Sequence, residues 1–436
     1  MLPARTLASV LLAASLLRAG AVGALSEEFR FDASEFEKKP YQLGGYAELR
    51  PVLLGLDRDA ALYRLRFFDR DEGQTTAEYN GRLRLEGSLE KGIGRLFARA
   101  NGDYRKSYLG EEVRATVYDG YLSVEPAPSL ALEAGKKSLR WGTGYAWNPV
   151  AFLDRPKDPD DPELNMEGFV LASASYIRSF AGPWRTLSIT PVLLPVYGGV
   201  NDDFGEPDHL NVGGKLYALL HDTDVDLLFL AGGSRTHRYG VDFARNLTSN
   251  FEVHGEFAYT RKVRKRIVDA AGDVAEREAD TRSWLVGLRY LTAAETTWIA
   301  EVYHNGAGFT RSEMRDFFTF VDRGDQVFAA TGDRSTLQQA ENLGKGGYAR
   351  TNPMRDYLYL RVSQKEPFGI LYATPAATAI VNLNDGSFSL APELLYTAVT
   401  NLELRLRAAF LEGGRLSEFG EKPNDYRLEL RARYHF

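Results

Sequence analysis

Arginine and the carboxylates are the residues of this chain best suited to chemistry, and they recur at every second position. NLELRLRAAF puts Glu403, Arg405 and Arg407 on one parity. YRLELRARYHF puts Arg427, Glu429, Arg431, Arg433 and His435 against Tyr426, Leu428, Leu430, Ala432, Tyr434 and Phe436. Glu48 with Arg50, then Glu78, Arg82, Arg84 and Glu86, then Arg95 and Arg99 obey the same rule. Guanidinium groups stay ionised, so a face of them either attracts anions or pairs with neighbouring carboxylates. Aspartate forms the second group. GKKSLRWGTGYAWNPVAFLDRPKDPDDPELNMEG carries Asp154, Asp158, Asp160 and Asp161 behind Trp141 and Trp147. Such oxygens bind Ca²⁺ or set a local field, although the spacing matches no EF-hand loop.

Covalent and metal chemistry find little to work with. The chain has no cysteine, hence no thiolate nucleophile, disulfide, lipobox acylation or c-type haem attachment. Its six histidines show neither HExxH nor HxH spacing. A lipase at a membrane needs His and Ser together on the lipid-facing parity, whereas His254 falls between Glu252 and Glu256 on the charged one. Asp202 and Asp203, with His209 nearby, match a protease's acid pair only thinly. No catalytic, cofactor-binding or metal residue is assigned, and no enzyme is expected.

The elements carrying these residues are strands. Side chains of a strand alternate between two faces, so strict alternation makes one face oily and the other charged. TAEYNGRLRLEGSLE, GRLFARANGDYR and NFEVHGEFAYT repeat the pattern in runs of about nine to eleven residues, enough to cross a bilayer at a tilt. Aromatics such as Tyr104, Tyr259, Trp284, Trp298, Tyr357 and Tyr434 stand near run ends, where membrane interfaces favour them. Short connections (LEKGIG, EPAPS, NLTSN, TAAET, TAVTN) interleave with long polar ones near 141–166, 198–209, 262–280, 309–352 and 412–424. The expected fold is all-β: a closed antiparallel transmembrane β-barrel of about 18 strands, with 16 as the alternative, short periplasmic turns and long extracellular loops. The even count requires Ala61 to Phe68 to lie in the first long loop, between strands near 43–52 and 76–89.

The ends fit export. MLPARTLASVLLAASLLRAGAVGALSEE has Arg5, an apolar run from Leu7 to Leu17 and small residues at Val22 and Ala24, the form of a secretory signal peptide cleaved after Ala24. Residues 25–40 then form a periplasmic segment and 41–436 a single barrel. Losing Arg5 and Arg18 takes the net charge from −6 to −8, which argues against nucleic acid as a partner. A mean hydropathy of −0.31 fits a barrel, which needs no continuous apolar span.

With these features the chain resembles the outer-membrane β-barrel porins of diderm bacteria, and more loosely the alginate-export barrels. The resemblance rests on the signal peptide, the repeated amphipathic runs and the closing YRLELRARYHF. It implies passive diffusion of small hydrophilic solutes through the outer membrane, anionic ones being expected from the arginine-rich parity, and Phe436 as the address read by the barrel-assembly machinery. It leaves open an exporter of an anionic polysaccharide, or a sheath around a periplasmic or lipoprotein partner such as a multihaem cytochrome. It also leaves open a homo-oligomer. Arg50, Arg82, Arg84, Arg95, Arg99, Arg405, Arg407, Arg427, Arg431 and Arg433, with Glu403 and Glu429, are the expected pore lining, a wall with more arginine than acid. Loops 141–166 and 309–352 are the expected constriction and lid. Within the latter, RSEMRDFFTF and STLQQAENLG read as short helices, the second capped by Ser335 and stopped by Gly344.

Overall fold

A computed structural model describes residues 39–436 apart from Asp71 and Asn165. The expected signal peptide, and all of the 25–40 segment but its last two residues, lie outside that range. Among the described residues the chain forms 18 strands. They are β1 (Tyr41–Leu56), β2 (Thr75–Lys91), β3 (Gly94–Ser107), β4 (Gly110–Ala127), β5 (Leu130–Lys137), β6 (Phe169–Ser179), β7 (Trp184–Val196), β8 (His209–Leu220) and β9 (Thr223–Ala231), followed by β10 (Arg238–Thr248), β11 (Phe251–Val268), β12 (Val274–Leu291), β13 (Thr296–His304), β14 (Asp356–Gln364), β15 (Ala373–Asn382), β16 (Phe388–Val399), β17 (Leu402–Glu412) and β18 (Asn424–His435). Each pairs antiparallel with its neighbours in sequence, and β1 pairs with β18. No strand edge is left open, as hydrocarbon requires of a sheet that crosses it.

The alternation predicted from sequence becomes an inverted protein. Leu43, Leu49, Leu53, Leu83 and Leu85 are exposed on the outer wall, whereas Glu48, Arg84, Asn101, Glu429 and Arg431 are buried on the inner one. Connections at one end are mostly two to four residues; in the turn at 221–222 both His221 and Asp222 take positive φ, the twist that tight hairpins favour. Connections at the other end include 57–74, 138–168, 305–355 and 413–423.

Three expectations change. Residues 262–280 are not a long loop, because β11 and β12 run 18 residues each and, past a register shift between Thr260 and Val263, stay paired out to Val268 and Val274, with Arg264 bonded to Glu278 at 3.0 Å. Alternation continued there, and its charge disguised it. Ala61–Phe67 is a helix, α1, inside the first long loop. The second long loop holds α2 (Arg311–Thr331) and α3 (Ser335–Leu343). α2 is 21 residues long and opens on a capping box between Thr310 and Glu313. Ser335 does not cap α3: Arg334 takes that position, and Ser335 bonds instead to Asp333. Gly344 ends α3 as its C-cap, as expected, and the chain then winds on as a wider turn over Gly344–Tyr348.

α2 and α3 fold into the mouth. Phe317, Phe318, Leu337 and Leu343 pack with α1, with Trp147, and with the inward Leu285, Ile299, Tyr357 and Tyr359 of β12–β14. A second apolar cluster joins Val150, Phe152 and Leu153 to the inward Val192, Leu194, Leu228 and Leu230 of β7 and β9. From β6 round to β15 the bore is therefore largely packed.

The barrel closes where β1 meets β18. Gly45 N–H donates to Phe436 O at 3.0 Å, and Phe436 N–H donates back to Gly45 O at 3.1 Å. A Cβ at Gly45 would lie 2.0 Å from Arg84 O and 3.1 Å from the Phe436 ring. Gly45→Val should cost about 1–3 kcal/mol by overpacking this seam, read as a lower urea midpoint of the refolded barrel with an unchanged slope.

Candidate functional site

The site is the lumen, and loop 138–168 shapes it. The loop leaves β5, returns to β6, and is held at two further places, each about a third of the way round the barrel. On one side Glu256 of β11 accepts from Thr143 N and Gly144 N, both at 2.7 Å, from Val150 N at 3.2 Å and from Asn148 Nδ2 at 2.9 Å. Glu301 of β13 accepts from Tyr145 N and, at 2.9 Å, from Ala146 N. His254 Nε2 lies 2.9 Å from the same carboxylate. The loop's Gly residues make this approach feasible: Gly142 has φ +95°, and a Cβ there would meet Asn148 and Glu256 inside 3 Å. On the far side Asp160 reaches Arg407 of β17 at 3.5 Å, and Asp161 reaches Arg431 of β18 at 2.9 Å.

The four loop aspartates thus do different work. Asp154 is internal, accepting from Ser138 Oγ at 2.9 Å, Leu139 N at 2.8 Å and Trp141 N at 3.1 Å. Asp158 lines an open cavity, and Asp160 and Asp161 tie the loop down. They do not converge on one point where an ion would sit. Trp141 and Trp147 are core residues and line no opening; Trp147 stacks on Tyr303 with ring centres 5.1 Å apart. Desolvation by the surrounding cavity walls pushes the Asp158 carboxyl up although the side chain faces the open lumen, with Asp160 adding to it. Burial also pushes Asp161 up, but Arg431 outweighs it and holds that carboxyl below the usual range. Lys157, half-buried and donating to Gly144 O at 2.6 Å, is pushed down by desolvation.

What stays open is a corridor between the loop tip and the wall of β17, β18 and β1–β4. Its upper part, toward the long loops, is a cavity of about 590 Å³ lined by Glu48, Arg50, Arg82, Asp103, Asp158 and Arg427 among others. Its lower part, toward the short turns, is about 340 Å³ and lined by Tyr46, Arg84, Arg99, Asp161, Arg405, Arg431 and Arg433.

Of the two roles open to these arginines, pairing with neighbouring carboxylates prevails. Arg50, Arg427 and Arg431 share Glu429; Arg433 takes Glu48 at 2.7 Å; Arg405 lies between Glu393 and Glu403; Arg407 takes Asp160. Arg82 takes Asp103, Arg99 bridges Glu86 and Asp119, and Arg95 lies near Glu90 at the short-turn end. Among the ten, Arg84 alone has no carboxylate within 4.0 Å among the described residues. It is 4% exposed, donates to Asn101 at 2.9 Å, lies 4.9 Å from the centre of the Tyr46 ring and 5.5 Å from that of Tyr118, and leaves Nη2 without a partner. Sequence reasoning missed Glu256 and Glu301, since each looks like any other charged residue on an alternating strand. It also missed the acid row Asp226, Asp242 and Glu256, which stand in register on β9, β10 and β11 across the bore.

Two outcomes follow for the loop. Glu256→Gln with Glu301→Gln removes the charged acceptors of five backbone N–H groups, weakening the anchorage by about 2–5 kcal/mol; single-channel records should show larger and noisier current. The Asp158 carboxyl is raised, so it takes a proton before Asp161 does as pH falls from 7 through the ordinary carboxylate range. Asp161 favours its ionised form, so its contact with Arg431 is fully present above that range and is lost only as pH falls through its lowered value. The reversal potential should therefore drift toward anions as Asp158 neutralises, and Asp158→Asn should abolish the drift.

No protein-family model matches the chain, and no curated protein matches it by sequence. Solved structures do. OccK5 (OpdH) of Pseudomonas aeruginosa aligns with TM-score 0.51 and 13% identity, covering 90% of this chain and 98% of that one. OccK2 (OpdF) of the same organism, solved in complex with glucuronate, aligns with TM-score 0.51 and 12% identity, covering 91% and 96%. At these identities the likeness is one of fold, and the fold of this chain is the closed 18-stranded barrel of the outer-membrane porins.

Proposed function

We propose that this chain is a passive channel in the outer membrane of a diderm bacterium, its long loops outside and its short turns in the periplasm, for small hydrophilic solutes carrying an anionic group. The observation that carries this reading is the corridor: two charged cavities run along β17, β18 and β1–β4 while the bore from β6 round to β15 is largely packed. A catalyst has no evident use for such a passage. A sheath needs an empty bore for its partner, and here the chain's own loops fill most of it. A polysaccharide exporter needs a wide positive track, whereas these arginines are largely neutralised pair by pair.

The pairing sets the expected selectivity. Ion pairs along the wall cancel at a distance, so the field in the corridor is weak, and Arg84 is the one among the ten wall arginines left without a carboxylate among the described residues. Because OccK2 was solved with glucuronate, a small hydroxylated acid of that kind is the natural first solute.

Purified protein in a planar bilayer should conduct on its own, with a weak anion preference that shrinks in high salt, and glucuronate should interrupt the current. Arg84→Ser should remove the preference while leaving the barrel folded, since the side chain faces the lumen. Absence of conductance, or a cation-selective wild-type pore, would overturn the reading.

A further inference from the structure

The two cavities share one lining side chain. Tyr46 and Arg84 line the lower cavity, while Glu48 and Arg82, the next inward positions on β1 and β2, line the upper one, so the two are stacked in one passage. Leu164 is the residue that lines both. It is 38% exposed and is an apolar group set amid charges. Its position is fixed by its neighbours: Leu164 N donates to Asp161 O at 3.0 Å, Asp161 is held by Arg431, and Glu163 accepts from Tyr145 Oη at 3.1 Å.

We propose that Leu164 is the gate residue of the channel, the one that sets the aperture between its outer and inner chambers. This rests on the channel reading above. The physics is that of a partial hydrophobic constriction. Apart from Val52 and Leu54 on the β1 wall of the upper chamber, the lining mostly offers a hydrated solute carboxylate, guanidinium, amide or hydroxyl groups in exchange for its water. At the step, the loop side offers a leucine that can replace no hydrogen bond, so a solute there keeps its water or loses it uncompensated. Charged neighbours decide which sign of solute enters; Leu164 decides how large a hydrated body passes.

The test is single-channel conductance of the full chain carrying changes at this position. Leu164→Ser should raise conductance about two-fold and Leu164→Trp should lower it by a similar factor, with reversal potential unmoved because no charge changes. The effect should be greater for glucuronate than for chloride. The absence of cysteine from the chain supplies a second arm that is read on a channel already open: Leu164→Cys should lose current in one step when a methanethiosulfonate reagent is added, more with a bulky reagent than with a small one. A lipid-facing Leu43→Cys should not respond. If wild type conducts but the Ser, Trp and modified Cys forms all match it, or if every change at 164 raises the current alike, Leu164 is merely packing and the gate assignment falls while the channel stands. If wild type carries no current, the channel reading fails first and takes this inference with it.

Discussion

Two buried carboxylates, Glu256 and Glu301, organise the interior of this barrel. A loop of some thirty residues laid across a lumen brings its backbone N–H groups into contact with protein, where each must find an acceptor. Glu256 and Glu301 supply acceptors for five of them from two inward positions of the wall. Once the loop is fixed there, its apolar residues are committed: Val150, Phe152 and Leu153 cover one sector of wall, and Trp147 completes the core beneath the helical loop. Its tip is then carried toward the arginine wall, where Asp160 and Asp161 find their partners. The corridor is what remains.

The division of the bore into a packed sector and an open one is written in the strands themselves. Where the inward face meets water, inward residues are Arg, Glu, Asp and Asn. Where it meets the loops, they are Leu and Val: in β9, DVDLLFLA puts Leu227 and Phe229 outward to lipid and Leu228 and Leu230 inward to the loop. A strand apolar on both faces is covered on both. The same rule that marks buried strands in soluble proteins marks here the part of a channel wall that no solute touches.

Much of the architecture was legible in sequence because a period of two is a strong signal repeated 18 times. The strand total depended on leaving 61–68 out of the wall, and α1 lies there. The loops were less legible. Helix ends turn on capping geometry that a sequence pattern only suggests, as the displacement of Ser335 by Arg334 shows. The extended β11–β12 hairpin was hidden because, beyond the bilayer, both faces of a strand are polar and alternation no longer distinguishes them. The site was half visible. Arginine and acid were seen on the correct parity, but their pairing depends on contacts such as Arg433 with Glu48, which no local pattern encodes. Leu164 carried no signal, for its meaning lies entirely in what surrounds it.

Sequence distance adds a temporal side to the loop's anchorage. Thr143 and Glu256 are 113 residues apart, and Asp161 and Arg431 are 270 apart. Contacts of such separation form late, after the entropy of closing very long loops has been met. The narrow passage therefore cannot exist in a partly assembled wall. Until β18, the last strand, takes its place there is no Arg431 beside Asp161, so this anchor of the loop arrives only as the wall is being completed.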